Sequence, residues 1–436
     1  MAMLSKNQMV KTTDGKTIKV IDKLGEGGQG TVYKVGRENK TYALKWYKKC
    51  PTDAFYKNLE KNVSSHSPAK TFLWPLAITE KDKDGSFGYV MKLCPNSYKP
   101  FSQFLLNHVQ FKDINSWVTA GIQITASFKL LHNMGYSYQD LNDGNFFINP
   151  ETGDVLICDN DNVAPNGTNL GIIGKPRYIA PEVVSSVKMP DTYSDRFSLA
   201  VILFLLFFRG HPLEGKRDNC DRPDNERKLF CDEPLFVYDA KDSSNRPKPS
   251  VHKNVQMLWN VFPAFVKEMF VRAFEKKLMR KNGVGREERI MEKDWLSMFR
   301  VLRHSIIRCP KCQKETFFDM KKESYKCIEC DVNIGKPPAL VIGKDVIPLQ
   351  VNRKLFSYDI DPVLEFNIET LAQEVGEIIE HPKKKNVWGI RNTSTTMTWY
   401  VKDANGKEEI CGPNKAVGIG RGWKIKFQTK SEGIIK

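Results

Sequence analysis

From Tyr138 to Asn145 the chain reads YQDLNDGN, and from Ile157 to Asn162 it reads ICDNDN. Carboxylates and amides in such runs suit Mg²⁺, which takes hard oxygen donors together with substrate phosphates rather than a closed protein cage. Between the two stretches lie the short apolar runs FFI and VLIC, joined by the turn NPETGD. Pairing those runs as a hairpin brings Asn145, at the end of the first loop, beside Asp159. Asp140, five residues before Asn145, would face the same pocket. Further upstream, Gly25, Gly27 and Gly30 in LGEGGQG have G-x-G-x-x-G spacing. Glycines there let the backbone approach a phosphate and aim its N–H groups at it.

These residues need elements to hold them. TIKVIDKL, TVYKV and TYALKWY alternate in the manner of strands and are separated by turn signals, which predicts three consecutive antiparallel strands. The glycine loop therefore joins two strands, whereas a dinucleotide fold would place it between a strand and a helix. Thirteen residues after Val32 comes Lys45, in the segment Ala43-Leu44-Lys45. Side chains alternate along a strand, so Ala43 and Lys45 share a face. A small residue beside a lysine can admit a flat base and hold its phosphates. Ile114 to Met134 repeats apolar residues at helical spacing and stops at Gly135, which predicts a helix ending there. TYSDRFSLAVILFLLFFRG predicts a buried helix.

Together these segments resemble a eukaryotic-type protein kinase, whose pattern is a glycine-rich loop, a strand lysine, H-R-D-L-x-x-x-N and D-F-G. The resemblance implies an α+β, bilobal protein-kinase-like fold, with a β-rich N-lobe over residues 16–95 and a helical C-lobe over 96–305, after an N-terminal segment 1–15. It implies an ATP- and Mg²⁺-dependent transfer of the γ-phosphoryl group to a Ser or Thr hydroxyl of a protein substrate. Asp140 would be the catalytic base, and Asn145 and Asp159 would hold the metal. Lys45 would bind phosphates while paired with a helix glutamate, Glu60 or, as the alternative, Glu80. Gly25, Gly27 and Gly30 would cover the nucleotide, Val32 and Ala43 would line it, and a hinge at Lys92 to Cys94 would offer backbone groups to adenine. GKPRYIAPEVV resembles the end of an activation segment, with Glu182 expected to pair with Arg289 and Asp195 expected to brace the catalytic loop.

The chain departs from the family pattern in three places. Tyr138-Gln139 stands where the family has His-Arg, and that arginine usually receives an activation-segment phosphate; its loss implies a segment held without phosphorylation. Asn160-Asp161 replaces Phe-Gly, and a polar Asn suits an apolar pocket poorly, which weighs against the in-and-out exchange of the metal Asp. Asn142 and Lys175 occupy positions where the family commonly has Lys and Thr. A cation has changed sides, so Lys175 is expected to reach toward Asp140 and the γ-phosphate, the alternative being a solvent-facing lysine.

Cys309-Pro-Lys-Cys312 and Cys327-Ile-Glu-Cys330 are two C-x₂-C knuckles with fourteen residues between them. Four thiolates at that spacing close a tetrahedral shell, which predicts a structural Zn²⁺ in a zinc ribbon over 306–335. Cys220 and Cys231 lack paired spacing and read as free thiols. After Lys336-Pro-Pro, residues 336–436 alternate in short runs typical of a small β-sandwich. That sandwich loosely resembles a forkhead-associated domain, without its phosphothreonine-gripping pattern. The whole order resembles bacterial kinases found with a von Willebrand A-type protein and a phosphatase in stress and tellurite-resistance clusters, which implies those two proteins as partners.

Composition bounds the remaining possibilities. The 436 residues, 41% hydrophobic and 27% charged, describe a globular protein. The N-terminus lacks a secretory core and the Phe197 to Phe208 apolar run is too short for a bilayer, so a cytoplasmic location and no membrane contact are expected. Ten cysteines in that setting read as thiolate or metal ligands rather than a disulfide framework. A net charge of +16 favours nucleotides and acidic partners, but its Lys and Arg residues are scattered, which argues against nucleic acid. The rival to an active kinase is a nucleotide-binding pseudokinase scaffold that signals through its tail.

Overall fold

The computed structural model describes residues 3–48, 52–168, 170–171, 174–218, 223–361, 364, 366, 368–429 and 431–436; Cys220 lies outside them. The chain divides into two compact units, one of residues 1–111, 127–256 and 270–291, the other of 112–126, 257–269 and 292–436.

The first unit begins with a six-stranded sheet: β1 (Met9–Lys11), β2 (Thr17–Glu26), β3 (Gly30–Arg37), β4 (Lys40–Tyr47), β5 (Ala77–Ile78) and β6 (Gly88–Lys92), in the order β1-β2-β3-β4-β6-β5. The pairs described are antiparallel, so the three strands expected from alternation are β2, β3 and β4. Alternation buries Ile18 and Val20 of β2 and Tyr33 and Val35 of β3 in one cluster. Gly30 allows β3 to start hard against β4: a Cβ there would collide with the Trp46 carbonyl oxygen. Helix α1 (Asp53–Ser64) is capped by Thr52, whose hydroxyl accepts from the Phe55 N–H at 3.2 Å.

A helix spans Ile114–Asn133, its residues 114–126 belonging to the second unit and 127–133 to the first, and Gly135 follows it at φ +79°, as the apolar spacing and glycine stop predict. The rest of the first unit is mainly helical. The helix Thr192–Phe208 is buried along almost its whole length. Asp191 and Ser194 cap it reciprocally, the Asp191 carboxylate accepting from the Ser194 N–H at 2.9 Å and the Ser194 hydroxyl from the Asp191 N–H at 2.8 Å. Phe204 packs edge-on against Phe236 and Phe270 at 5.5 and 5.4 Å. Among the described residues no helix is long and apolar enough to cross a membrane.

In the second unit, strands Ile306–Arg308 and Glu315–Phe317 form one hairpin, and Ser324–Lys326 and Asn333–Gly335 another. Beyond them a six-stranded and a four-stranded sheet share one core that includes Leu340, Ile378, Ile390, Trp399 and Ile425. The alternating runs of the C-terminal hundred residues therefore become a β-rich region.

Glu182 and Arg289 form the pair expected from the sequence, with two guanidinium–carboxylate bonds of 2.7 and 2.8 Å and Glu182 fully buried. Arg289 also donates to the Leu278 and Tyr193 carbonyls, so the cation is satisfied on every side. Breaking one partner strands a buried charge, whereas removing both does not. Arg289→Met should lower stability in urea unfolding by about 3–5 kcal/mol, and Glu182→Leu/Arg289→Met should recover most of that loss.

Candidate active site

The loop after the Ile114–Asn133 helix is held by its backbone. Asp195, near the start of the Thr192–Phe208 helix, accepts from the Tyr138 and Gln139 N–H groups at 2.6 and 3.1 Å and faces His132 Nε2 at 3.1 Å. Its part is thus the loop brace, while the helix cap falls to Asp191. Tyr138, standing in the histidine position, donates its hydroxyl to the Cys158 carbonyl. Gln139 adopts a left-handed backbone at φ +72° and donates its amide to the Thr168 carbonyl at 2.6 Å. Where the family would place an arginine for a phosphate, this chain ties the loop directly to the following segment's backbone.

Further along, Asn142 and Asn145 close a turn: the Asn145 side-chain oxygen accepts from the Asn142 N–H at 2.7 Å, and the Asn142 oxygen from the Gly144 N–H at 3.1 Å. Strands Phe146–Ile148 and Val155–Ile157 pair with Phe146 opposite Ile157, and the Cys158 N–H donates to the Asn145 carbonyl at 2.8 Å. The hairpin expected from the apolar runs thus sets Asn145 and Asp159 on either side of its open end. Asp159 takes the left-handed conformation, φ 56° and ψ 42°, leaving its carboxylate partly exposed.

Lys45 meets this hairpin. Its ammonium donates to Asp159 Oδ1 at 3.1 Å, to Asp161 Oδ2 and Oδ1 at 3.0 and 3.2 Å, and to Gln29 Oε1, in the glycine loop, at 3.0 Å. Burial alone would push the lysine's pKa down, but the two carboxylates outweigh it and the value is raised, so Lys45 stays charged. Asp161 is fully buried and also accepts from the Tyr47 hydroxyl at 2.8 Å and the Tyr89 hydroxyl at 3.4 Å. Both tyrosines are held well above their usual pKa by burial and then by Asp161, so both remain donors. Beside these charges, Ala43, Val32, Cys94, Leu156 and Cys158 belong to one apolar cluster. Burial pushes the Cys94 thiol up to about 11, so it acts there as a neutral group.

Asp140 lies close enough to Asp159 to feel its charge. Burial and then that repulsion raise the Asp140 carboxyl to about 6, against the pull of Lys175, a hydrogen bond from Asn142 and Lys45. Asn142 Nδ2 lies 3.4 Å from Asp140 Oδ1, and the Lys175 ammonium lies 3.4 Å from Asn142 Oδ1. Lys175 is an exposed side chain whose charge nevertheless reaches Asp140.

One expected partnership is corrected. Glu60 does not pair with Lys45, nor does Glu80; both are exposed, and the lysine's carboxylates come from Asp159 and Asp161. The cause is helical phase. Helix α1 buries Phe55, Asn58, Leu59 and Asn62, and one step from Leu59 turns Glu60 by about 100° away from that face. Phe55 packs its ring edge-on against Tyr47 at 5.6 Å, and Asn58 and Asn62 donate to the Val163 carbonyl at 2.7 and 2.8 Å. Gln29, Tyr47 and Asp161 are the residues that the motifs missed. The available signal was a second acid two residues after Asp159, where the family has glycine.

In the second unit Cys309, Cys312, Cys327 and Cys330 place their sulfurs within 4.8 Å of one another, with Cys309–Cys330 and Cys312–Cys327 separations of 3.7 Å. A tetrahedral site with Zn–S bonds of about 2.3 Å needs S–S separations of about 3.8 Å. The group is therefore compatible with zinc. The Glu329 N–H points at Cys327 Sγ at 3.4 Å.

Residues 18–282 match the family model of the protein kinase domain, and the chain belongs to that family. It is 24% identical over 316 residues to protein kinase YegI of Escherichia coli O157:H7, covering 68% of this chain and 47% of that protein. A putative serine/threonine-protein kinase of Caenorhabditis elegans is 31% identical over 134 residues, 30% of this chain and 38% of the relative. The chain thus spans less than half the length of these relatives. The autoinhibited serine kinase domain of the giant muscle protein titin matches with a TM-score of 0.45 and 14% identity, over 64% of this chain and 78% of that one.

Proposed function

We propose that this chain is an active serine/threonine protein kinase that uses ATP and Mg²⁺. The observation that carries the proposal is the Lys45–Asp159 ion pair under the glycine loop, with Asp140 close enough for Asp159 to perturb it. One lysine beside three carboxylates, Asp140, Asp159 and Asp161, leaves an excess of negative charge that a divalent cation offsets. Asp159 and Asn145 offer hard oxygens for Mg²⁺, Lys45 a cation for phosphates, and the slot at Val32, Ala43 and Cys94 a seat for the base. Bound ATP supplies the electrophilic γ-phosphorus.

Asp140 orients the substrate hydroxyl and takes its proton as the new oxygen–phosphorus bond forms; the bond to the leaving phosphate breaks in the same exchange. Lys175, through Asn142, adds positive charge on the side of the loop where the chain lacks the family's usual lysine. Gln139's bond to Thr168 supports a segment that needs no phosphate to hold it. Protein substrates are the partners this reaction requires. The four cysteines would hold a structural zinc, a four-thiolate set leaving no open position for chemistry.

Incubation with labelled ATP and Mg²⁺ should label the chain or an added Ser/Thr protein such as casein, and Asp140→Asn should cut the rate at least 100-fold. Nucleotide binding without transfer by the wild type would instead mark a scaffold. The base works as a carboxylate, so the rate should rise with pH and level off, with its inflection at or below about 6 because a metal on Asp159 weakens the repulsion. Lys175→Ala removes a charge that holds Asp140 down, so its inflection should move to higher pH and its rate should fall; an unchanged profile refutes that role.

Treatment of the chain with a phosphatase, followed by removal of the phosphatase, should leave the transfer rate unchanged. Metal analysis should find one zinc per chain. Cys327→Ser should lose it and lower the melting temperature of the second unit while ATP binding persists.

A further inference from the structure

The carboxylate that aims the phosphate-binding lysine has moved. In the family pattern it stands on the helix after the lysine's strand, yet here that helix, α1, presents Phe55, Asn58, Leu59 and Asn62 inward, and Glu60 is exposed. We propose that Asp161 is the positioning residue for Lys45, so that one short loop supplies both the metal carboxylate and the carboxylate that holds the lysine. The inference rests on the kinase proposal above.

Three observations carry it. Asp161 is fully buried, and a buried carboxylate must be paired and hydrogen-bonded to be tolerated; both of its oxygens face Lys45, and Tyr47 and Tyr89 donate to it as well. Tyr47 lies two residues beyond Lys45 on β4, and Tyr89 stands directly opposite Lys45 on β6, so the sheet that carries the lysine also clamps its partner. Asp159 shares the lysine too, but its side chain is 40% exposed, and once it turns to a metal Asp161 is the carboxylate left to hold Lys45, beside the neutral oxygen of Gln29.

The arrangement changes what helix α1 can do. It touches the loop through neutral bonds from Asn58 and Asn62 to the Val163 carbonyl, not through an ion pair with Lys45. A swing of α1 therefore does not remove the lysine's carboxylate. The carboxylates that hold Lys45 come from the loop after the hairpin and not from the helix.

The test separates aiming from folding. Asp161→Asn keeps the shape and removes the charge. Its affinity for ATP in EDTA, measured by calorimetry, should fall at least tenfold, while its affinity for adenosine, which has no phosphates for Lys45 to meet, should match the wild type. Tyr47→Phe removes one donor to Asp161 and should produce a smaller loss of the same kind. In a Lys45→Met background, Asp161→Asn should cost nothing further for ATP. Glu60→Gln should bind ATP as the wild type does.

Equal losses for ATP and adenosine would assign Asp161 a purely structural part and overturn the proposal, as would wild-type ATP affinity in Asp161→Asn or a tenfold loss in Glu60→Gln. If Asp161→Asn does not fold, Tyr47→Phe and Glu60→Gln decide by the same comparison. A wild-type chain that binds ATP but transfers no phosphoryl group would defeat the kinase proposal and leave this binding comparison intact. A wild-type chain that binds no ATP would defeat both.

Discussion

A buried lysine must keep its charge, and most of the candidate site follows from that constraint. Taking an ammonium out of water costs several kcal/mol, and the cost is recovered only with close, well-formed carboxylate partners. Lys45 has two such carboxylates within 3.2 Å and a neutral oxygen from Gln29 at 3.0 Å. Each partner constrains a different element. Gln29 draws in the glycine loop, Asp159 orients the end of the catalytic hairpin, and Asp161 fixes the turn after it to strands β4 and β6. The same electrostatics extend outward to Asp140, whose raised carboxyl reflects burial first and the neighbouring Asp159 second.

The catalytic loop shows how a family position can change residue and keep its mechanical purpose. A histidine and an arginine are absent, yet the loop's backbone is still gripped by Asp195, and its outer side is still tied to neighbouring chain. The Tyr138 hydroxyl reaches the Cys158 carbonyl beside the metal stretch, and the Gln139 amide reaches the Thr168 carbonyl. Both replacements are neutral donors aimed at backbone carbonyls. An arginine in this position would need an anion to satisfy its charge, whereas an amide is satisfied by peptide groups that are always present. A neutral tie to backbone thus stands where the family pattern has an arginine.

Much of this was legible in the sequence because it depends on local period and spacing. Alternation in β2 to β4 put Ala43 and Lys45 on one face; the two apolar runs and the turn between them made the hairpin that flanks Asn145 with Asp159; the paired knuckles brought four sulfurs together. What the sequence hid depends on phase or on distant convergence. Glu60 is the acid on the helix after the lysine, but Phe55 and Leu59, four residues apart, mark the buried face and turn Glu60 away from it. Asp161 lies 116 residues from Lys45, and its part became visible only once two tyrosines from neighbouring strands closed on the same carboxylate. The Gln139–Thr168 bond is of the same kind, since no local pattern announces which carbonyl an amide will meet.

The polar residues after Asp159 also account for how that aspartate keeps an uncommon backbone. A left-handed conformation at a non-glycine residue costs on the order of 1 kcal/mol, less for Asp than for bulky side chains. It persists when the surroundings determine it more strongly than the backbone resists. In a D-F-G loop, an apolar ring wedged into a pocket would do this by packing, which is non-directional and leaves more than one seat open. Here Asn160 is buried and donates to the Ile157 carbonyl at 2.9 Å, while Asp161 takes bonds from Lys45, Tyr47 and Tyr89. Directional bonds to fixed backbone and strand atoms specify one loop geometry. Leaving that geometry would take the Asp161 carboxylate and the Asn160 amide nitrogen away from these partners, so the same polar residues that depart from the family pattern favour the arrangement that presents Asp159.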